Sequence, residues 1–290
     1  MKNKLFLLTL ASFIYLGVLA ETNAAKKIRF AFMTDIHLNV QNGNDRYNGL
    51  LQALEHVKKQ RVDFIILGGD VIDVSGMGHS LNRDVSDSLY TIYKETFDKT
   101  NIKYYPTIGN HDRFYDQENG FVEGDELFNT YFGNSYYTFD YKNVQFFVLN
   151  SVQKTDKGDL FIGEKQMEWL RNELSKIPKT KPIVVSTHVP VYSLYYPIVE
   201  GRYAFIDIIG NYQELLKTFE GYNLKLVLQG HQHIHEEIFT KDVYYVTGGA
   251  VCAGWWGGAF HKTEEGFMIV EVDKKDKFNW KYVDYEWEAK

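Results

Sequence analysis

The chain has 290 residues, 44 % of them hydrophobic and 16 % aromatic, with a formal net charge of −6. That is enough apolar material for a substantial core, which excludes an intrinsically disordered polypeptide. The acidic balance argues against a nucleic-acid partner, whose phosphates require a basic surface.

In chain order, the first element is a leader. Lys2 and Lys4 precede a nearly unbroken apolar run from Leu5 to Leu19, and small residues follow at Ala20 and Ala24-Ala25. This is the layout of a secretory signal peptide, and the run is shorter than the ~20 residues needed to span a bilayer. Residues 1–20 therefore read as a signal peptide, with cleavage as late as residue 25 compatible, and 26–290 as a single domain with no stable membrane anchor. Removal after Ala20 takes off two lysines and no acid, moving the charge from −6 to −8. An exported location, periplasmic or extracellular, is expected. Cys252 is the only cysteine, so an intrachain disulfide is excluded and it reads as a small buried residue.

Short β-branched and aromatic runs follow at Ile28–Met33, Phe64–Leu67, Tyr104–Ile108, Val144–Leu149, Ile183–Ser186, Leu224–Leu228, Val243–Val246 and Phe267–Val272. Such near-continuous hydrophobicity marks strands buried on both faces. Helical patterns lie between several of them, at Arg46–Gln60, Asp84–Lys99, Glu164–Ile177 and Asn211–Phe219. In the first, Leu50, Leu51, Leu54 and Val57 share one side. The alternation predicts an α/β fold with helices covering sheets. Stretches 136–149 and 243–285 lack long helices and are expected to add antiparallel hairpins to a second sheet.

Chemistry-bearing residues stand where these strands end. The run at 28–33 leads into Asp35 and His37, 64–67 into Asp70 and Asp73, and 104–108 into Asn110 and His111. Likewise 183–186 leads into His188, and 224–228 into His231 and His233. Strands of a mostly parallel sheet deliver their C-terminal ends to one edge, where α/β proteins bind ligands. Carboxylates and imidazoles meeting there describe a centre for two divalent or trivalent metal ions, and mixed N and O donors suit Fe, Mn or Zn. The glycines at 69, 109 and 230 are expected to permit tight exit turns.

The ordered set Asp35-Ile36-His37, Gly69-Asp70-Val71-Ile72-Asp73, Gly109-Asn110-His111-Asp112, His188 and Gly230-His231-Gln232-His233 resembles the motifs of the calcineurin-like metallophosphoesterase superfamily, all five intact. The resemblance implies a four-layer α/β/β/α sandwich with two mixed sheets. It implies Asp35, His37 and His233 on one metal, Asn110, His188 and His231 on another, and Asp70 between them. It further implies His111 as general acid, oriented by Asp73, and hydrolysis of a small phosphodiester or phosphomonoester by attack of a metal-bound hydroxide. Asp73 stands where purple acid phosphatases of the superfamily carry a Tyr ligand, and Val74-Ser75 where its protein phosphatases carry Arg-Gly. Neither subtype is expected.

Arg113 and Arg202 are candidate phosphate grips. Tyr196, in the run of Tyr192, Tyr195, Tyr196 and Tyr203, together with Trp255, Trp256 and His261, is a candidate pocket mouth. Asp112 reads as a cap on the segment that follows it. Two rival readings are a non-catalytic phosphoryl- or metal-binding protein on the same scaffold, and a carbohydrate-binding module built on Trp255 and Trp256.

Overall fold

All eight apolar runs become strands in the computed structural model, which describes residues 26–39, 45–76, 79–155, 157–202 and 207–289. The leader with its cleavage site, and Tyr203, lie outside the described residues. The described residues open with β1 (Lys26–Met33), α1 (Asp45–Lys59), β2 (Phe64–Leu67), a short hairpin of β3 (Ser75–Gly76) and β4 (His79–Ser80), α2 (Arg83–Asp98) and β5 (Lys103–Pro106). Then come α3 (Glu126–Phe132), β6 (Tyr137–Tyr141), β7 (Val144–Val148), a second short hairpin of β8 (Gln153–Lys154) and β9 (Leu160–Phe161), and α4 (Glu164–Ser175). The last part holds β10 (Ile183–Ser186), a π-helical turn (Tyr196–Glu200), α5 (Tyr212–Thr218), β11 (Leu224–Gln229), β12 (His235–Thr240), β13 (Val243–Gly248), β14 (Gly266–Asp273) and β15 (Phe278–Asp284).

One sheet runs β15-β14-β1-β2-β5, the other β12-β13-β11-β10-β7-β6. In the first, β1, β2 and β5 are parallel and the β14–β15 hairpin is antiparallel. In the second, β7, β10, β11 and β13 are parallel, flanked by antiparallel β6 and β12. The hairpin at the chain's end therefore joins the first sheet, where the sequence pattern suggested the second. The reason is burial: β14 is apolar on both faces and needs an interior position, which the free edge of β1 supplies with Phe30 opposite Val270.

Alternation along each strand divides the core in two. Phe30, Phe32, Phe64 and Ile66 meet Phe146, Val184, Leu226 and Val246 between the sheets. Phe30 stacks on Phe64 at 5.0 Å, and Phe146 meets both rings edge-on at 5.7 and 5.5 Å. Burying one such ring contributes about 1.5–3 kcal/mol. The opposite strand faces carry Ala31, Met33 and Ile65 against Leu50 and Leu54 of α1 and Leu89 and Phe97 of α2. Phe147 and Val185 do the same against Met167 and Leu170 of α4. The result is a four-layer α/β/β/α sandwich. The start of α2 is locally encoded: Asn82 caps it by accepting the Val85 N–H at 2.9 Å. No helix among the described residues is long and apolar enough to cross a membrane.

Candidate metal centre

Beyond the last sheet pairings, the strand tips are strapped together by backbone. Asp35 N donates to Gly69 O at 3.0 Å, and Ile36 N and His37 N both donate to Asp70 O at 2.8 and 2.9 Å. On the other side Val251 N and Cys252 N donate to Thr34 O and Asp35 O at 2.9 and 3.1 Å. These straps hold an unusual backbone: Asp35, His37, Asp70, His231 and His233 have φ of 54°, 52°, 50°, 73° and 56°. Left-handed geometry costs about 1–2 kcal/mol per residue and is least unfavourable for Asp, Asn and His. It persists where surrounding bonds over-determine it, as here.

The glycines serve two different ends. Gly69 has φ of 97° and makes the expected exit turn. Gly109 and Gly230 do not adopt such angles; they leave space. A Cβ at 109 would stand 2.1 Å from both N and Oδ1 of Asp70, and one at 230 would stand 2.1 Å from Thr34 Oγ1.

The donors fall into two groups. Asp73 Oδ1 accepts the Nδ1–H of His37 at 2.6 Å, and the Ala253 carbonyl accepts the Nδ1–H of His233 at 2.6 Å. Both Nε2 atoms are therefore left with lone pairs, and they face each other at 3.0 Å. Asp35 Oδ1 stands 3.9 and 3.5 Å from them. Buried acceptors converging in this way repel one another unless a proton or a cation lies between.

The second group repeats the pattern. Gly68 O accepts the Nδ1–H of His188 at 2.9 Å, which leaves Nε2 facing Asp70 Oδ2 and Asn110 Oδ1, each at 3.1 Å. His231 joins it: Asp70, His188 and His231 each offer a ligand atom within 4.8 Å of the others. Asp70 Oδ2 is also 3.7 Å from His37 Nε2, so one oxygen serves both groups. This donor set fits bound metal.

Cys252 also approaches His37 and His233, but its sulfur lies 3.8 Å from Nδ1 of His233, the side turned to Ala253. Burial pushes its thiol pKa well up, so it stays protonated and matches the small buried residue expected.

Protonation follows from the same crowding. Burial disfavours charge on His188, yet the Asp70 carboxylate outweighs it and raises its pKa to about 9. For His111, burial is likewise overcome, by Asp70 and then Asp73, again giving about 9. Burial opposes ionised Asp70, but His188 and His111 hold it well below the usual carboxylate range. His231 is pushed down to about 4 by burial and by His188, and burial also lowers His233, so both favour the neutral form that binds metal.

Outer partners fix these side chains. Thr34 Oγ1 donates to Asp35 Oδ2 at 2.6 Å, and His231 N donates to the same carboxylate at 3.1 and 3.0 Å. His111 N donates to Asp70 Oδ1 at 2.7 Å, turning Oδ2 toward the ring nitrogens. Asp112 does not cap the segment after it. Its buried carboxylate looks backwards, accepting N–H groups from Gly109 and Asp70 on Oδ2 at 2.8 and 2.9 Å, and from Val71 and Ile72 on Oδ1 at 3.0 and 3.1 Å. Burial and the Asp70 charge raise its pKa to about 6. Thr34 and the Ala253 carbonyl were not singled out from the sequence, and Asp112 was read there only as a cap. Only Asp112 left a signal, its place in Gly109-Asn110-His111-Asp112.

Asp73 binds more tightly to His37 than to its expected partner. The oxygen bonded to His37 stands 3.2 Å from His111 Nδ1, which makes no aligned hydrogen bond. Asn110, His111 and His231 are half-buried while Asp35, His37, Asp70, His188 and His233 are buried, so the cluster opens on the His111 side.

The candidate substrate residues divide. Trp255 is 45 % exposed, with its ring stacked on His233 at 4.3 Å, while His261 and Tyr196 continue outward through Phe260 and Tyr195. Trp256 does not face the cluster: it is 7 % exposed, fills the space beside Gly49 and donates Nε1–H to Ile36 O at 2.8 Å. A paired-tryptophan platform is thereby ruled out. Arg113 is buried, its guanidinium held by Val152 O and Glu123 O over the Tyr115 ring, so it grips backbone in place of phosphate. Arg202 is exposed and bound to Glu200 at 2.6 Å.

Two mixed sheets meeting at a cluster of His, Asp and Asn define a phosphoesterase scaffold, and residues 28–235 match the family profile described as Calcineurin-like phosphoesterase. The chain belongs to this family, whose members are metal-dependent and act on small phosphate esters. It is 25 % identical over 244 residues to a 3′,5′-cyclic-nucleotide phosphodiesterase of Nostoc sp., covering 79 % of this chain and 80 % of that protein. A second relative, from Arcobacter nitrofigilis, is named "probable glycerophosphodiester phosphodiesterase GpdQ"; it is 24 % identical over 184 residues, 60 % of this chain and 62 % of its own. Among solved structures, a dimetal phosphatase from Danio rerio superposes with a TM-score of 0.65 at 15 % identity, over 90 % of this chain and 97 % of that one.

Proposed function

We propose that the protein hydrolyses a small phosphodiester at a pair of metal ions, Fe, Mn or Zn. The observation that carries this reading is Asp70 Oδ2, which stands 3.7 Å from His37 Nε2 and 3.1 Å from His188 Nε2 and so belongs to both donor groups. Asp35, His37 and His233 would hold one ion, Asn110, His188 and His231 the other, and Asp70 both. Such a pair, when bound, supplies Lewis-acid activation of water and neutralises charge on a phosphoryl group. The names of the two relatives support a diester over a monoester.

The chain's own part is proton delivery. His111 lies half-buried on the open side with Asp73 Oδ1 3.2 Å from its Nδ1, and would pass a proton to the departing ester oxygen. Asp73, beside Nδ1 of that ring, favours its charged form. Asp70→Asn should lose metal, measured by elemental analysis, together with activity. His111→Ala should keep metal and lose about 10²–10⁴-fold in kcat on diesters with poor leaving groups, with a smaller loss on aryl diesters. Unchanged turnover in both variants would remove the catalytic reading of this cluster, and metal binding without turnover in the wild type would leave a non-catalytic metal-binding protein.

The leader supports export. Expression with cell fractionation should yield a mature chain beginning between residues 21 and 26 outside the cytoplasm. An intact N-terminus retained inside would refute this.

A further inference from the structure

We infer that Trp255, Phe260, His261 and Tyr195 form a stacking subsite for a planar ring on the substrate, the leaving group's nucleobase or aryl ring. Its place in catalysis rests on the phosphodiesterase reading above; its capacity to bind does not.

An unbroken row of rings leads outward from His233. Trp255 stacks on His233 at 4.3 Å and stands 6.0 Å from His37, directly beside the cluster. Phe260 meets Trp255 edge-on at 5.7 Å, and His261 meets Phe260 edge-on at 4.4 Å. Tyr195 meets His261 at 5.1 Å, and Tyr196 meets Tyr195 at 5.1 Å. These rings come from segments more than fifty residues apart, so the row is a product of tertiary folding.

The backbone shows that the arrangement is enforced. Trp255 has φ of 55°, a left-handed geometry unfavourable for a bulky side chain, and His261 shares it at 47° at less cost. The adjacent Trp256, with φ of 70°, is buried and supports the core. Trp255 gains no such burial: one face is covered by His233, yet 45 % of the residue stays open. Strain that keeps a large aromatic ring exposed beside a reactive cluster is a mark of binding sites. Such faces stack planar rings and gain little from a flexible aliphatic alcohol.

The test compares Trp255→Leu and Phe260→Leu with wild type, using the metal-loaded full chain. Substrates are 3′,5′-cyclic AMP, bis-p-nitrophenyl phosphate and glycerophosphoethanolamine, each scored as the variant-to-wild-type ratio of kcat/KM. Trp255→Leu should lose about tenfold more on the planar diesters than on the glycerol diester, the loss expected for one stacking partner. A nucleobase is the natural occupant if cyclic AMP suffers the larger loss, an aryl ring if the nitrophenyl ester does. Equal losses on all three would overturn the subsite. Binding is read separately: adenosine 5′-monophosphate should quench tryptophan fluorescence in wild type and not in Trp255→Leu, while glycerol 3-phosphate quenches neither. Quenching that survives in Trp255→Leu would also overturn it. If wild type turns over no ester while quenching behaves as expected, the catalytic reading fails and the subsite stands.

Discussion

Gly109 carries no side chain because Asp70 occupies the space a methyl group would need, with its N and Oδ1 2.1 Å from the position of an added Cβ. Neither atom can retreat: the N–H is bonded to Asp112 and Oδ1 to His111 N. Gly109→Ala should therefore cost about 1–3 kcal/mol in thermal or urea melts and reduce bound metal, because Asp70 must move. An unchanged Tm with full metal content would contradict this. Asp112→Ala strands four backbone N–H groups in a buried place and should cost on the order of 3 kcal/mol or more, with Asp112→Asn milder because it keeps one acceptor oxygen. The metal-type donors were readable as a set, because each cluster follows a buried strand. The role of Asp112 was not, since three of its four partners lie 40 to 42 residues away in sequence. Arg113 misled for the same reason: its carbonyl partners, Val152 and Glu123, are invisible to local pattern.

At the scale of elements, neighbouring residues in one loop take opposite roles. Trp256→Ala should lower stability by about 3–5 kcal/mol, as expected for emptying a buried indole site. Trp255→Ala should lower it far less, and comparable losses in denaturant melts would show that both rings are structural. No periodicity distinguishes Trp255 from Trp256, and both have left-handed torsions; tertiary contact separates them, Trp256 donating to Ile36 O inside the core while the Trp255 ring lies on His233. Strands buried on both faces were evident as continuous apolar runs. β12 was not, because it is an edge strand with only half-buried and exposed residues, and α3 is only seven residues long. The sheet joined by β14 and β15 was misplaced because pairing between β1 and β14 spans the whole chain.

For the whole molecule, the metal-free cluster should make stability depend on pH. His111 and His188 have folded pKa values of about 9 against 6.5 in the unfolded chain. Folding takes up protons between those values, so their contribution is full below about pH 6.5 and is lost as pH rises through about 9. Melts of chelator-treated protein should show Tm falling across that window, and His111→Gln should flatten part of the fall. A Tm that rises with pH would contradict this assignment. Adding Zn or Mn should release protons, measurable by calorimetry in buffers of different ionisation enthalpy, because metal and proton compete for the same Nε2 lone pair of His188.

Burial of strands, the ends where they stop and the kind of donor waiting there are local properties, so the chain by itself determined the α/β class, the covering helices and the residues of the candidate centre. Folding in three dimensions decided the rest. It set one oxygen of Asp70 among nitrogens from residues 37 and 188, aimed Asp112 backwards, buried Trp256 and held Trp255 open. Each of those outcomes depends on contacts between segments distant in the chain, which local sequence does not record.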